Sequence, residues 1–573
     1  MIMVDRSEKS KRDYWFGDPV ELSPNTIRKS PPDIYFKKDS VDFTQSKLSF
    51  MHIFDYLPDD HECFEYSKIF KKLDYSALMI NYSPLGQHAY NPGRITEILI
   101  YAYCDGVFSS RQIERKCHTD LGYMYISRMN CPNFRVLSDF RKDNKDYFQA
   151  LFKESVAIAE ENGLVDFKKV SQDGSKFKAD TSKHKAMSYG RMNKKIAELE
   201  EFTENIMKEI EEIESKEENS HNTIDTQKLK DELQFKKKRL NKIHDAKEAL
   251  EMREETLNPG EKIPDKSQIS FADTDARIMG KKGDFGYRYN GQISVDSNNQ
   301  IIIAQHLTQN ANDKQEVMAA LTQILTDYGR MPDSMSFDNG YFSGPNLEAL
   351  FKFGVNAFVA VGREEKEEFN KREGEGKLFD KSAFTYVEAE DAFICPNGTK
   401  MMLKSKNKDG KKIYSGIKEE CLNCKFRSSC CKSKKGQPRT VSTDDYESLR
   451  NDMREKMKQS SSKEIYARRK VIVEPVFGQI KNQGFRDIHL RGFEKAKGEF
   501  ALICSSHNLK KTVRRLRNVK FSSSALNDKT TFGVLVKQSM SRTLQVVYRC
   551  MIPLIENLNQ TLFRGSFLSV MMC

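Results

Sequence analysis

Three acidic residues stand where the chain's local patterns could make them do chemistry. Asp173 follows the alternating stretch FKKVSQ, Asp338 follows the strand-like SMSF, and Glu474 lies in the helical run ARRKVIVEPVFGQIK. In open α/β sheets, ligands collect outside the carboxyl ends of strands, where neighbouring tips converge. Three carboxylates meeting there would offer the hard oxygen donors that Mg²⁺ prefers. Two such ions about 4 Å apart can activate an attacking oxygen and stabilise a leaving one in phosphoryl transfer. Taken one at a time, Asp173-Gly174 and Asp338-Asn339-Gly340 are equally ordinary turn sequences. Four further acids fall nearby. Asp275 with Arg277 reads as an ion pair, Asp296 and Asp313 as turn and cap residues, and with Asp273 they are outer candidates only.

A second chemistry lies in the cysteines. Five of the twelve, Cys395, Cys421, Cys424, Cys430 and Cys431, fall within 37 consecutive residues. Cys421 and Cys424 form a CxxC knuckle, and Cys430 follows after five residues. With Cys395 upstream, the spacing suits a structural four-cysteine Zn²⁺ site. Adjacent residues seldom point at one metal, so Cys430 is expected to ligate and Cys431 not. The competing reading is buried or redox-inert thiols. Further on, KKTVRRLRNVK clusters Lys510, Lys511, Arg514 and Arg515. That cluster fits either salt-sensitive phosphate contacts or a solvated helix face.

The elements that must position these groups follow from composition and period. At 573 residues the chain has room for roughly four domain-sized units. Lys plus Arg is 94 against 82 Asp plus Glu, a formal net charge of +12, and 38% of residues are hydrophobic. That is enough apolar material for real cores and excludes global disorder. The positive surplus suits a polyanion, but over this length it also fits an ordinary solvated surface. No apolar run reaches the ~18–20 residues of a membrane span. MIMVDRSEKSKRDYW places charges where a signal peptide needs an apolar segment. The expectation is a soluble protein in a reducing compartment, where twelve cysteines are not a disulfide framework.

Residues 1–47 read as a loose arm, and 48–165 as short helices broken by Gly, Ser or Pro and carrying Arg94, Arg111, Arg115 and Arg141. Either a helix-turn-helix DNA module or an ordinary helical bundle fits them. FKKVSQ then reads as a strand, Asp173-Gly174 as a turn, and KFKAD as the returning hairpin partner. Residues 191–255 carry apolar positions at 3–4 spacing on both sides of the polar KEENSHNT, the pattern of an antiparallel coiled-coil hairpin. Two strands, a helix, a strand, a helix and a strand follow over 256–362. The whole predicts an α/β catalytic core of mixed sheet at 166–190 and 256–362, interrupted by the arm. A cysteine-rich insertion spans 363–444, a glutamate-bearing helical part 445–520, and 521–573 has no assigned role.

Blocks in order then resemble the DDE transposases of bacterial insertion sequences. SQDGSKFKADTSKHKAMSYGRM resembles that family's first-aspartate block, FDNGYFSG its second, and FADTDARIM with GYRYNGQISVD its middle block. EPVFGQIKNQGFRDIHLRGFEKAKGEFALICSSHNLKK resembles the glutamate block, and YNPGRITEILIYAYCDGVFSSRQIE with FRVLSDFRK the N-terminal helical domain. The resemblance implies a ribonuclease-H-like catalytic domain, with Asp173, Asp338 and Glu474 holding two Mg²⁺ or Mn²⁺ ions. It implies hydrolytic cleavage at transposon ends, then attack of the 3′-hydroxyl on target DNA. The partners would be double-stranded DNA, at terminal inverted repeats and in the target, and a second copy of the chain in the DNA complex. The place would be the bacterial cytoplasm at the nucleoid, with no membrane. Relatives carry Tyr, Arg, Glu and Lys around the glutamate. Here Tyr466, Lys470 and Glu474 stand at i,i+4 steps and Lys481 seven further on, sharing one helical face, with Arg469 off it. Tyr466, Arg469, Lys470, Lys481 and Arg491 are the candidate DNA contacts. Pro475 disfavours the α region at Glu474, so a kink or a helix start is expected there. A transposase-derived DNA-binding protein that no longer cuts is the alternative, and the intact acidic trio argues against it. A zinc-and-helix scaffold would explain the cysteines but not the acidic blocks.

Overall fold

The computed structural model describes residues 53–527, apart from 81, 83–87, 218–226, 281–282, 362–378, 380, 408–410, 432 and 434–435. The expectations for residues 1–47 and most of 521–573 lie outside the described residues. The chain divides into two compact units at Thr512/Val513. The described part of the second is the end of the helix Phe493–Asn527.

The N-terminal region is helical. Among the described residues seven helices run from Glu62–Phe70 to Lys145–Glu161. Asn91 caps Pro92–Asp105 through Arg94 N, with Pro92 in the first turn where its missing N–H costs nothing, and Gly106 ends the helix at φ 80°. Two of the four arginines noted in the sequence serve the interior. Arg94 pairs with Glu97. Arg141 is buried and donates to the Tyr103 hydroxyl at 2.9 Å and the Phe108 carbonyl at 3.0 Å. Arg111 and Arg115 remain on the exposed side.

The main sheet has six strands: β1 (Lys169–Lys178), β4 (Arg277–Met279), β5 (Gly286–Asp296), β6 (Ile302–Thr308), β7 (Ser334–Phe337) and β8 (Ala357–Val359). Two short strands, β2 (Ala186–Ser188) and β3 (Gln268–Ser270), form a separate ribbon. The order is β4-β5-β1-β7-β8, with β6 also on β5. β1, β7 and β8 are parallel to one another, whereas β4, β5 and β6 form antiparallel pairs, as does β5 with β1. The helix Val317–Tyr328, closed by Gly329 at φ 65°, makes the crossover from β6 to β7.

One expectation is overturned here. Asp173-Gly174 is not a turn: β1 runs straight through it, paired with β5 from Val170↔Asp296 to Lys178↔Arg288. The local turn preference loses to a nine-residue ladder with a buried face. Gly174 is needed for close approach instead, because a Cβ there would lie 2.2 Å from Gln292 Nε2 and 2.8 Å from Asp313 Oδ1.

Helices Tyr189–Glu217 and Gln227–Leu257 extend from the β2–β3 ribbon. Contacts between Tyr189 and Glu251, Glu200 and His244, and Met207 and Lys237 fall in descending order, so the two run antiparallel. Met192, Ile196, Leu199, Ile243, Ala246 and Leu250 bury one another, and Ile269 of β3 joins them. The pair is thus rooted in the ribbon. The cysteine-bearing region has a core of its own. Strands β9 (Thr385–Val387), β10 (Ala392–Ile394), β11 (Lys400–Lys406), β12 (Lys412–Ser415) and β13 (Thr440–Thr443) form an antiparallel sheet in reverse chain order. Phe384, Phe393, Met401, Tyr414 and Val441 are its buried cluster. Three of the five come from the 400–440 stretch or its edge, where alternation is hidden among lysines. Among the described residues no helix is long and apolar enough to cross a membrane.

Candidate active site

Parallel pairing of β1 with β7 ends at Gln172↔Phe337. Asp173 and Asp338 are therefore the next residues on adjacent strands, side by side where the pairing stops. Asp338 begins a tight turn over Asn339–Tyr341, its Oδ1 accepting from Gly340 N at 2.8 Å, while Asp173 Oδ1 accepts from Gly174 N at 2.9 Å. Burial pushes the Asp173 carboxyl up to about 6; Arg469 opposes this, and Asp338 and Asp313 add to it. Burial also raises Asp338, with Arg469 again opposing.

Glu474 arrives from 301 residues beyond Asp173 (474 − 173), on the helix Glu474–Asn482. The helical run breaks before it, into Ser460–Ala467, Arg469–Ile472 and Glu474–Asn482. The second break, at Val473, follows from Pro475, which has no N–H for the carbonyl four residues back and crowds it. That carbonyl, Val471 O, accepts from Gln300 Nε2 at 2.9 Å instead. A helix start at Glu474 is what the structure has.

The break changes which basic residue faces the carboxylates. Arg469, read from the sequence as off the face, is 5% exposed; its Nη2 lies 2.9 Å from Asp173 Oδ1 and its Nη1 3.3 Å from Glu474 Oε1. Lys470 is exposed. A single 3.6-residue period carried through Pro475 misplaces the pair. Tyr466 is half-buried; burial raises its phenol, Arg469 counteracts, and Asp338, Glu474 and Asp173 contribute, which sets it beside the trio. Lys481 Nζ donates to Ser175 Oγ and to Lys176 O at 3.3 Å and sits 5.1 Å above the Phe177 ring. Burial lowers its pKa, and Arg288 and Arg486 lower it further.

Asp313, read from the sequence as a cap and an outer candidate, lies beside the carboxylates. It does not act as a simple cap: Oδ1 accepts from Asn290 Nδ2 at 2.8 Å and Gln292 Nε2 at 2.6 Å, with Lys176 Nζ at 3.7 Å. A Cβ built on Gly340 would lie 3.0 Å from Asp338 Oδ1 and 3.4 Å from Asp313 Oδ2. The buried Tyr341 hydroxyl donates to Gln292 Oε1, closing a network from β5 to the turn after β7. Asp275 accepts from Phe493 N, while Arg277 donates to backbone carbonyls of Thr274 and Asp275, so the expected side-chain ion pair is not formed. Asp296 accepts from Phe167 N and Asn298 N as a turn residue.

The remaining basic candidates are mostly engaged. Arg491 Nε lies 2.8 Å from Asp180 Oδ2. Lys510 Nζ donates to Cys104 O at 2.6 Å, and Lys511 Nζ to Gln300 Oε1 at 2.9 Å. Arg514 and Arg515 are exposed on the helix segment of the second unit.

In the cysteine region, Cys395, Cys421, Cys424, Cys430 and Cys431 line one pocket. Burial raises the Cys430 thiol; Arg439 lowers it, and Cys421, Cys431 and Cys395 raise it further. Cys431 Sγ turns to the Gln437 carbonyl at 3.4 Å. Among the described residues no three His, Cys, Asp or Glu side chains are gathered closely enough to hold an ion as they stand. At the acidic trio the cationic position between Asp173 and Glu474 belongs to the Arg469 guanidinium.

Comparison with known proteins gives two matches in the family scan. A model described as Transposase DDE domain matches residues 394–513, which include Glu474, Arg469 and the five cysteines. One described as Transposase domain (DUF772) matches residues 51–143, the N-terminal helices. Asp173 and Asp338 lie between the two matched stretches. No curated protein matches the chain. One transposase model on the N-terminal helices and another over the glutamate segment together support an insertion-sequence DDE transposase.

Proposed function

We propose that this transposase cuts DNA at insertion-sequence ends and joins the freed 3′-hydroxyl to target DNA by two-metal phosphoryl transfer. The carrying observation is the placement of Asp173 and Asp338 one residue beyond the last paired residues of β1 and β7, with Glu474 tied to Asp173 through Arg469. The strand order, with parallel strands beside an antiparallel meander and a crossover helix between β6 and β7, supports a ribonuclease-H-like core. The donor set suits hard divalent cations, being three carboxylates beside a guanidinium that already serves as a cation. Asp173, Asp338 and Glu474 would hold Mg²⁺ or Mn²⁺, whose bound chemistry is activation of the attacking oxygen and stabilisation of the leaving one.

The chain's own residues orient the rest. Asp313, Gln292 and Tyr341 fix the turn that carries Asp338. Lys481 and Arg469 offer donors to phosphate, with Tyr466 beside them, and Lys470, Arg491, Lys510, Lys511, Arg514 and Arg515 extend the proposed DNA contact. The partner is double-stranded DNA, inverted repeat and target, bound by two copies of the chain. The helical pair at 189–257 serves as a coiled-coil arm and the N-terminal helices as a DNA-binding domain. Purified protein given a duplex that carries the element's terminal inverted repeat should nick it in Mg²⁺ or Mn²⁺ and not in EDTA. Cleavage that persists in EDTA would reject the metal-dependent reading.

The same proposal includes one structural Zn²⁺ held by Cys395, Cys421, Cys424 and Cys430. Four soft thiols facing one pocket suit zinc, and the orientation of Cys431 toward Gln437 supports leaving it out. Metal analysis should find about one zinc per chain. Cys421→Ser should lose it and Cys431→Ser keep it. Equal loss in both variants, or none in the wild type, overturns the ligand set.

A further inference from the structure

Arg469 stands in an unusual position for a DNA contact: its guanidinium spans two of the three proposed metal ligands. It lies 2.9 Å from Asp173 and 3.3 Å from Glu474 and is almost fully buried. Asp338 and Asp313 crowd the same spot, and Lys176 stands 3.7 Å from Asp313. Without a cation between them, carboxylates this close would repel one another and resist ionisation. Arg469 supplies that charge. Its Nε, however, is buried without a hydrogen-bond partner, a donor left unsatisfied at a cost. The present pose therefore satisfies the carboxylates but not the arginine.

The segment that carries it is built to shift. Arg469–Ile472 is a four-residue helical piece between breaks at Arg468 and Val473, and the Val471 carbonyl is tied to Gln300 rather than to the helix that follows. A divalent ion entering beside Asp173 and Glu474 would meet a guanidinium at the same oxygens, and like charges cannot share them.

Building on the metal-site reading above, we propose that Arg469 is a resident counter-cation that competes with divalent metal for Asp173 and Glu474. It holds the carboxylates together in the metal-free protein and leaves their oxygens when metal binds. Its unsatisfied Nε–H is then free to take a phosphate oxygen. This makes Arg469 a positioning residue whose removal strengthens metal binding, the opposite of what loss of a supporting residue would do.

The test is Mn²⁺ binding to the full chain without DNA, read from the free-ion paramagnetic resonance signal. Arg469→Gln, neutral and similar in length, should bind Mn²⁺ about tenfold tighter than wild type, within the usual range of coupling between sites. Arg469→Lys should stay near wild type because it keeps the charge. Asp173→Asn should lose binding in both backgrounds. Unchanged or weaker Mn²⁺ affinity in Arg469→Gln, with Asp173→Asn still losing it, overturns the competition and leaves the metal site standing. Equal Mn²⁺ binding with and without Asp173 overturns both. Hydrogen exchange on the wild type gives a second measure that needs no folded variant. The peptide containing 468–474 should exchange faster when Mn²⁺ is added, and unchanged or slower exchange overturns the release.

Discussion

The Asp338→Asn protein is expected to cleave a DNA end on the order of a thousandfold more slowly than wild type in Mg²⁺, with DNA binding within about twofold. The substitution removes one negative oxygen and little else. An amide oxygen can still accept from Gly340 N, so the turn over Asn339–Tyr341 and the Tyr341–Gln292 contact persist. What is lost is a ligand charge where charge matters most, beside Asp173 at the end of the β1–β7 pairing. Asp173→Asn and Glu474→Gln should fall by comparable factors. Single-turnover cleavage of a labelled duplex, with binding followed by anisotropy, separates the two effects. Near-normal cleavage by Asp338→Asn would remove it from the assignment.

The largest loss of stability is expected far from the carboxylates. The Glu499 side chain has no solvent exposure. It accepts from the Tyr103 hydroxyl at 2.8 Å and from His489 N and Leu490 N at 2.8 and 2.9 Å. His489 Nδ1 lies at 3.1 Å and Arg141 Nη1 at 3.7 Å. Glu499 is thus the anion that joins the N-terminal helices to the segment following Glu474. Glu499→Ala leaves the Arg141 charge buried with no carboxylate, a loss worth about 3–5 kcal/mol in buried pairs. Urea unfolding should show it as a lower midpoint. Glu499→Gln, which keeps an acceptor for Tyr103 and the two amides, should lose less. A wild-type midpoint for Glu499→Ala would mean that the helices and the sheet are held by something else.

Much of the sheet was legible because its signals are periodic. The alternation on either side of Ser297-Asn298-Asn299, the amphipathic stretch closed by Gly329, and SMSF before Asp338 all correspond to elements. The readings that failed share one physical cause: a local preference was followed where a long-range partner decides. Asp173-Gly174 favours a turn in isolation, and β5 pairing keeps it extended. The i,i+4 rule selected Lys470, but the helical run breaks at Arg468 and Val473, and it is Arg469 that faces Asp173. Asp313 sits just ahead of a helix and reads as a cap; only β5 brings Asn290 and Gln292 to it. The five-stranded sheet around the cysteines does not show in the sequence because its strands are three to seven residues long and two of them, β11 and β12, carry lysines among their apolar positions.

The distance in sequence between the two halves of the acidic trio also sets a clock. Asp173 and Asp338 lie on neighbouring strands, but Glu474 and Arg469 lie far downstream, Glu474 by 136 residues from Asp338 (474 − 338). At about 5–20 residues per second of synthesis, a growing chain carries both aspartates for roughly 7 to 27 s before the glutamate exists. Throughout that interval the strand pair has neither the third carboxylate nor the guanidinium that pairs with Asp173. A nascent or prematurely terminated chain therefore holds an incomplete, uncompensated acidic pair, and on the proposed mechanism cutting competence arrives only once Glu474 has been made. A stop codon anywhere in the cysteine region leaves both aspartates in the product and removes Arg469 and Glu474.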